Sequence, residues 1–212
     1  MVRILFLLSL LGIFMSAGSS DATHVLPTKL SVSPIQELYD ACGLNGRLSF
    51  DAFQKCVEGF NKYKPAKPII AICDFSKPSD QKRFFVIDLV QKKILAYTYV
   101  AHGKNSGEKM ATSFSNQPES LKSSLGFFKV GQPIATLKHG MSLVLDGLEK
   151  GKNDNARARE IIMHGATYVS EKFVQQYGYT GKSFGCPALP QDVMKDMLPL
   201  LANGSLLYIY TR

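Results

Sequence analysis

A cysteine and a histidine in this sequence have the types and the spacing that nucleophilic acyl transfer requires. His164 ends the apolar run 161–163, which predicts a strand that presents the imidazole at a sheet edge. Cys186 lies 22 residues later. A thiol within reach of an imidazole is activated as a thiolate paired with a protonated histidine. The pattern therefore predicts a cysteine nucleophile and a histidine base.

The turn that leads into Cys186 has features of an oxyanion site. Ser183 opens the segment Ser-Phe-Gly-Cys-Pro, and Gly185 lets backbone and substrate approach closely because it lacks a side chain. The amide N–H groups of Gly185 and Cys186 are predicted to point at a developing oxyanion. The alternative is structural: Cys186 as a buried thiol or disulfide partner, and His164 as a hydrogen-bonded residue at a strand end. The pattern alone leaves both open.

The remaining histidines and cysteines do not indicate a metal site. His102, His139 and His164 are each followed by glycine, so the His-Gly dipeptide alone carries little information. The sequence has no HExxH, P-loop or GxGxxG motif, and its four cysteines lack a paired CxxC spacing. We expect neither a metal nor an organic cofactor.

The elements that must position these residues are mostly strands. Short β-branched or aromatic runs bounded by turn residues predict strands at 69–73, 83–89, 94–100, 126–130, 142–145, 160–163 and 206–210. Few helical intervals separate them, which favours an antiparallel sandwich or barrel over a doubly wound α/β fold. The polar segment 103–124 is predicted to be a long loop that carries function or lies disordered.

A small helical hairpin is predicted ahead of the strands, within 25–65. Residues 34–41 have helical spacing, and Ser49 is a good N-cap for a second helix with apolar residues on one face, namely Phe50, Phe53, Val57 and Phe60. Cys42 and Cys56 fall on its two arms. In an oxidising compartment a bridge between them would contribute about 3 kcal/mol, and two free core thiols are the alternative.

The N-terminus has the layout of a secretory signal peptide. Arg3 precedes an uncharged apolar run of 12 residues and then the small residues 16–20. The run is shorter than the roughly 20 apolar residues that span a bilayer, so we predict a signal peptide at 1–20, cleaved between Gly18 and Ala22, rather than an uncleaved anchor. The mature protein is then exported to the periplasm or cell envelope without a transmembrane segment.

Composition supports one globular domain with a basic surface. The chain has 212 residues, 45% hydrophobic and 20% charged, which excludes a disordered or fibrous protein. The formal charge of +8 falls to +7 when Arg3 is removed with the signal. A basic balance favours acidic partners, but the charges are dispersed and no nucleic-acid-binding signature occurs. We expect a monomer that does not bind nucleic acid.

The order of the two candidate catalytic residues distinguishes among thiol enzymes. Papain-like enzymes place the cysteine well before the histidine, and caspases place the histidine roughly 50 residues upstream within a different motif. Here His164-Gly165 comes first and Ser183-Phe-Gly-Cys186 follows closely. With a secreted β-rich domain, this arrangement resembles the L,D-transpeptidase (YkuD-like) catalytic domain family of bacterial cell-wall enzymes.

The resemblance is to the murein L,D-transpeptidase branch, in which Gly-Cys-Pro-Ala surrounds the nucleophile. It runs from about Ile69 to the C-terminus and implies a catalytic domain at 66–212 with a β-sandwich or barrel. Further motifs of that branch occur in the right order, at 102–107, 123–126, 145–148 and 153–159.

The resemblance implies a two-step acyl transfer on peptidoglycan stem tetrapeptides. Cys186 forms a thioester, His164 moves the proton and is oriented by a carbonyl such as that of Gly165, and Ser183 hydrogen-bonds near the site. An amine acceptor gives cross-linking, whereas water gives L,D-carboxypeptidase trimming. A non-catalytic wall-binding module that keeps the fold is a further alternative.

Two positions depart from the larger branch of the family. There, histidine precedes Gly-Cys and arginine lies two residues after the cysteine, whereas this chain has Phe184 and Ala188. Arg157 and Arg159 are the predicted substitutes that would hold a substrate carboxylate, with a solvated basic loop as the alternative. His102 and His139 are predicted either to line the cleft or to cap loops.

Overall fold

The computed structural model describes residues 33–212. The predicted signal peptide at 1–20 lies outside these residues. Within 33–212, no helix is both long and apolar enough to cross a membrane.

Two capped helices open the described chain, as predicted. Helix α1 spans Pro34–Ala41, and the Ser33 hydroxyl accepts a hydrogen bond from the Gln36 N–H. Helix α2 spans Phe50–Tyr63, and the Ser49 hydroxyl accepts one from the Ala52 N–H. Each hydroxyl satisfies an N–H group that the first helical turn leaves unpaired.

Eight strands form one sheet in the order β3-β2-β1-β8-β4-β5-β6-β7. The strands are β1 Ile69–Asp74, β2 Phe84–Asp88, β3 Lys93–Thr98, β4 Gly126–Thr136, β5 Gly140–Gly147, β6 Ile162–Gly165, β7 Ala188–Leu189 and β8 Leu206–Tyr210. The mainly β fold with helices is confirmed. The strands are not all antiparallel, because β1 pairs with β8 and β6 pairs with β7 in parallel.

Two helices and strand β7 were not predicted, and strands β4 and β5 are longer than predicted. Helix α3 spans Glu171–Tyr177, and α4 spans Gln191–Leu201 with an internal Pro199. Strand β4 continues past 130 through a register shift between Val130 and Pro133. Proline lacks the N–H that a regular ladder uses, so it breaks the sequence signal where the strand bulges.

A separate core packs on each face of the sheet. Alternate residues of β1 divide between them: Ala71 and Cys73 enter the core beneath α4, and Ile70 and Ile72 enter the core beneath the helical hairpin. The hairpin core also contains Cys42 and Cys56, which are free buried thiols rather than a disulfide. Of the two alternatives for these cysteines, the structure has the free thiols.

Candidate active site

The parallel pairing of β6 with β7 brings the histidine and the cysteine together. His164 is the register partner of Ala188, and its backbone N–H lies 3.4 Å from the Pro187 carbonyl oxygen. Cys186 precedes that short strand by two residues. Both side chains line one cavity of about 1010 Å³. Residues 22 apart in sequence therefore share a site through a long-range strand pair.

The His164 imidazole is oriented by the next residue in the chain. Its side chain is buried, with 1% of the residue exposed, and Nδ1 lies 3.0 Å from the Gly165 carbonyl oxygen. A carbonyl only accepts, so Nδ1 carries the proton and Nε2 keeps a free lone pair. This is the predicted orientation, and it makes Nε2 the proton acceptor.

Burial keeps both reacting groups neutral at rest. Desolvation lowers the pKa of His164 to about 4, and the nearby His139 and Lys138 act in the same direction. Desolvation raises the pKa of the Cys186 thiol, with a backbone hydrogen bond from Ile162 and the charge of Arg159 opposing it. These directions oppose the predicted resting thiolate–imidazolium pair and favour a neutral thiol beside a neutral base.

The Cys186 sulfur lies between two backbone groups at the start of β6. The Ile162 N–H donates to Sγ at 3.5 Å, and Sγ lies 3.9 Å from the Glu160 carbonyl oxygen. Both of these contacts on the sulfur are with backbone groups.

The Ser183 side chain closes the turn that leads into Cys186. Ser183 Oγ donates to the Cys186 carbonyl at 2.6 Å and accepts from the Gly185 N–H at 3.1 Å. The Gly185 amide is therefore already used, which corrects the prediction that it donates to an oxyanion. The Cys186 N–H, by contrast, bonds no other residue in the described part of the chain.

A tyrosine that the sequence analysis missed supplies another donor. Tyr168 lines the cavity and packs against Gly181, where an added Cβ would lie 2.6 Å from the Tyr168 Cβ. Burial, together with the neighbouring Cys186, raises the pKa of Tyr168 to about 12. Its hydroxyl therefore stays protonated at neutral pH and can donate a hydrogen bond.

The polar loop 103–124 holds the nucleophile turn in place. Ser123 Oγ donates to the Gly185 carbonyl at 3.1 Å and accepts from the Gly103 N–H at 3.0 Å. The Ser183 N–H donates to the His102 carbonyl at 3.0 Å. An added Cβ at Gly103 would lie 2.5 Å from the Leu121 carbonyl oxygen, so this approach requires glycine.

Of the two roles predicted for His102, the structure has the loop-capping one. Its ring is fully buried outside the cavity, 2.8 Å from Arg83 Nη2 through Nδ1 and 3.1 Å from the Gly107 carbonyl through Nε2. Arginine always donates, so Nδ1 accepts and Nε2–H donates. His102 therefore anchors the start of the polar loop.

Both predicted carboxylate-binding arginines already have partners. Arg157 donates from Nε and Nη2 to the two carboxylate oxygens of Asp146, at 2.8 and 3.1 Å. Arg159 donates to the polar loop, including the carbonyls of Ser115 and Lys122, each at 2.7 Å. Both line the cavity; four contacts hold the Arg159 guanidinium within the protein, whereas Arg157 is held through Asp146 alone.

Two lysines at the cavity have weaker contacts with the rest of the protein. Lys138 forms no ion pair among residues 33–212, and its Nζ lies 4.8 Å from the centre of the Phe184 ring. Lys182 Nζ lies 3.9 Å from a carboxylate oxygen of the exposed Glu108. Phe184 itself is 58% exposed at the cavity edge. The sequence offered no signal for either lysine, because neither belongs to a motif.

His139 also lines the cavity, as one of its two predicted roles requires. It lies in the turn between β4 and β5 and stacks on the His164 ring. Within the described residues, no group of three His, Cys, Asp or Glu side chains is arranged to hold a metal ion.

The family model for the L,D-transpeptidase catalytic domain matches residues 44–210. The chain therefore belongs to that family. The match begins ahead of Ile69, where the sequence resemblance began, and it includes helix α2. No curated protein matches the chain.

Among solved structures, an L,D-transpeptidase from Mycobacterium smegmatis is 13% identical with a TM-score of 0.42, over 68% of this chain and 59% of that one. The helical cell shape determining protein Pgp2 from Campylobacter jejuni is 13% identical with a TM-score of 0.44, over 70% and 49%. An L,D-transpeptidase from Stackebrandtia nassauensis is 17% identical with a TM-score of 0.39, over 84% and 76%. The chain thus spans less than two thirds of the first two.

Proposed function

We propose that this protein is a cysteine-dependent L,D-transpeptidase that acts on the stem tetrapeptides of peptidoglycan. The observation that carries the proposal is the shared cavity of Cys186 and His164, in which the histidine keeps Nε2 free while Gly165 holds Nδ1–H. Family membership of the chain supplies the reaction class.

In the first step, Cys186 Sγ attacks the carbonyl carbon of the L-centre of the diaminopimelate residue. The thiol proton passes to His164 Nε2 as the sulfur–carbon bond forms, because both groups start neutral. The oxyanion is held by the Cys186 N–H and the Tyr168 hydroxyl. His164 then returns the proton to the departing amine of D-Ala, and a thioester remains.

In the second step, an amine of a neighbouring stem attacks the thioester carbonyl. His164 takes a proton from the attacking nitrogen and returns it to the sulfur when the carbon–sulfur bond breaks. The products are a cross-linked dimer and the free thiol. Water in place of the amine would give a tripeptide by the same proton transfers.

The substrate carboxylates are assigned to Lys138 and Lys182. Both ammonium groups border the cavity, and neither has a buried carboxylate partner. This assignment is preferred to Arg157 and Arg159, which already bond Asp146 and the polar loop. The basic surface suits the anionic wall, and export to the periplasm or envelope as a monomer completes the proposal.

The test is intact-mass spectrometry of the purified protein with disaccharide tetrapeptides. Wild type is expected to gain one acyl group with loss of D-Ala and to release cross-linked dimers. Cys186→Ala should gain nothing, and Cys42→Ala should behave as wild type because that thiol lies in the hairpin core.

The products separate the competing functions. Tripeptides without dimers would show a carboxypeptidase. An unmodified protein that leaves the muropeptides unchanged would overturn the catalytic proposal and favour a wall-binding module.

A further inference from the structure

A second histidine stacks on the proposed base. The ring centres of His139 and His164 lie 3.7 Å apart with an interplanar angle of 28°. His139 comes from the turn between β4 and β5, where its backbone N–H donates to Thr136 Oγ1 at 3.1 Å. The β4–β5 turn, which carries neither Cys186 nor His164, thus places an aromatic ring against the His164 ring.

The two contacts on His164 restrict different motions. The hydrogen bond from Nδ1 to the Gly165 carbonyl lies at one edge of the ring, and by itself it permits the ring to tilt about that bond. The His139 ring packs on a face and opposes that tilt. Together they aim Nε2 in one direction, and proton transfer is sensitive to such orientation.

The surroundings of His139 keep it uncharged. Burial lowers its pKa, and Lys138 on the same turn acts in the same direction. His139 also faces His164 of β6 and shares a second, smaller cavity with Lys195 of α4; the charged or titratable side chains that line the active-site cavity with it are Glu119, Lys138, Arg157, Arg159, Glu160, Tyr168, Lys182 and Cys186. The ring that packs on His164 is therefore neutral at rest, and its contact with the proposed base is a stacking contact.

We propose that His139 is a positioning residue for the acyl transfer, which holds the His164 ring so that Nε2 is aimed at the proton of Cys186. The proposal rests on the function proposed above. It concerns a residue of the β4–β5 turn and not the nucleophile motif.

The kinetic test compares two substitutions at His139 with a control in the same turn. His139→Ala removes the ring and is expected to lower kcat about tenfold with KM changed less than twofold, since the ring orients the base for the chemical step. His139→Phe keeps a stacked ring and should recover kcat to within about threefold of wild type. Leu137→Ala, at a fully exposed side chain, should match wild type.

A second readout does not depend on the substrate. The His164 imidazole is titrated by NMR, with its signal identified by loss in His164→Asn. His139→Phe removes a neighbouring charge at low pH and should raise the midpoint from about 4. His139→Ala also admits water and should raise it further.

Failure of this proposal is distinguishable from failure of the proposed function. Unchanged kcat and His164 midpoint in His139→Ala would overturn it, as would a phenylalanine variant as impaired as the alanine variant. If the wild type forms no acyl-enzyme, the function proposal fails, and an unchanged NMR midpoint in His139→Ala would still overturn the positioning role.

Discussion

Single side chains at this site are defined by the backbone groups that they contact. Cys186 lies between the Ile162 N–H and the Glu160 carbonyl, and His164 donates to the Gly165 carbonyl. Neither contact requires a charged partner. Burial therefore decides the protonation states, and the neutral thiol and neutral imidazole follow from it.

The reactivity of Cys186 towards iodoacetamide tests this protonation state. Because burial raises the thiol pKa, we expect the alkylation rate to rise with pH to a midpoint above the ordinary 9.0. Intact mass should show one modified cysteine in the native protein, since the other three thiols are buried. His164→Asn should leave the midpoint nearly unchanged. A fast phase with a midpoint below pH 7 that disappears in His164→Asn would instead show a preformed ion pair.

The sequence indicated the proposed nucleophile and base, which the structure places in one cavity, and misjudged several of their neighbours. His164, Cys186 and the Gly165 carbonyl stand in the predicted arrangement because strand-end and turn patterns are local. Arg157 and Arg159 were predicted to hold a substrate carboxylate because they stand just before the His164 strand. Asp146 and the carbonyl of Ser115, their partners in the structure, are distant along the chain.

Two elements, the nucleophile turn and the polar loop, form one unit. The loop contacts the turn through Ser123 and Gly103, and Gly185 has a φ of +127° with the Lys122 carbonyl close by. An added Cβ at Gly185 would lie 2.8 Å from that oxygen. The backbone at 185 therefore meets two constraints that only glycine satisfies.

The Gly185→Ala substitution is expected to lower the rate of acyl-enzyme formation about 100-fold, because displacing the thiol by about 1 Å has effects of that size. Gly178→Ala is the matched control. Gly178 ends α3 with a φ of +79°, and an added Cβ there would meet nothing within 4 Å. The control should lose about 1 kcal/mol of unfolding free energy through backbone strain and keep its activity. Equal activities of the two variants would contradict the role assigned to the turn.

Helices and strands were predictable where their apolar residues recur at a regular spacing, and they were missed where that spacing is interrupted. The Ser49 cap and the apolar face of α2 predicted a helix that the structure contains. The apolar spacing of α4 was present in the sequence, but Pro199 weakens the helical pattern. Strand β7 has two residues, too few for any period to appear.

At the scale of the whole molecule, the free energy of unfolding depends on pH through two buried histidines. Burial lowers the pKa of both His102 and His164 to about 4, below the ordinary 6.5. The unfolded chain therefore binds protons that the folded protein does not between pH 6.5 and pH 4. The stability from these groups is complete above pH 6.5 and is lost as the pH falls towards 4.

Urea unfolding at several pH values measures this loss. We expect the unfolding free energy to fall below pH 6.5, with a slope of up to about 1.4 kcal/mol per pH unit for each buried histidine. His102→Gln can keep the hydrogen bonds to Arg83 and Gly107 without titrating. The variant should therefore lose about half of the pH slope that the two histidines contribute together. A stability that stays constant from pH 6.5 to pH 4.5 would contradict neutral burial of these residues.

The sequence by itself determined the mainly β fold, the capped helical hairpin, and the order of histidine, glycine, serine and cysteine that indicates acyl transfer. Each depends on residues close together in the chain, where caps, alternation and turn chemistry act. Only the tertiary structure decided that the Gly185 amide bonds Ser183, that both arginines have partners within the protein, that burial raises the pKa of the Cys186 thiol, and that His139 stacks on His164. Those outcomes depend on burial and on contacts between distant segments, which become defined only when the sheet and the polar loop come together.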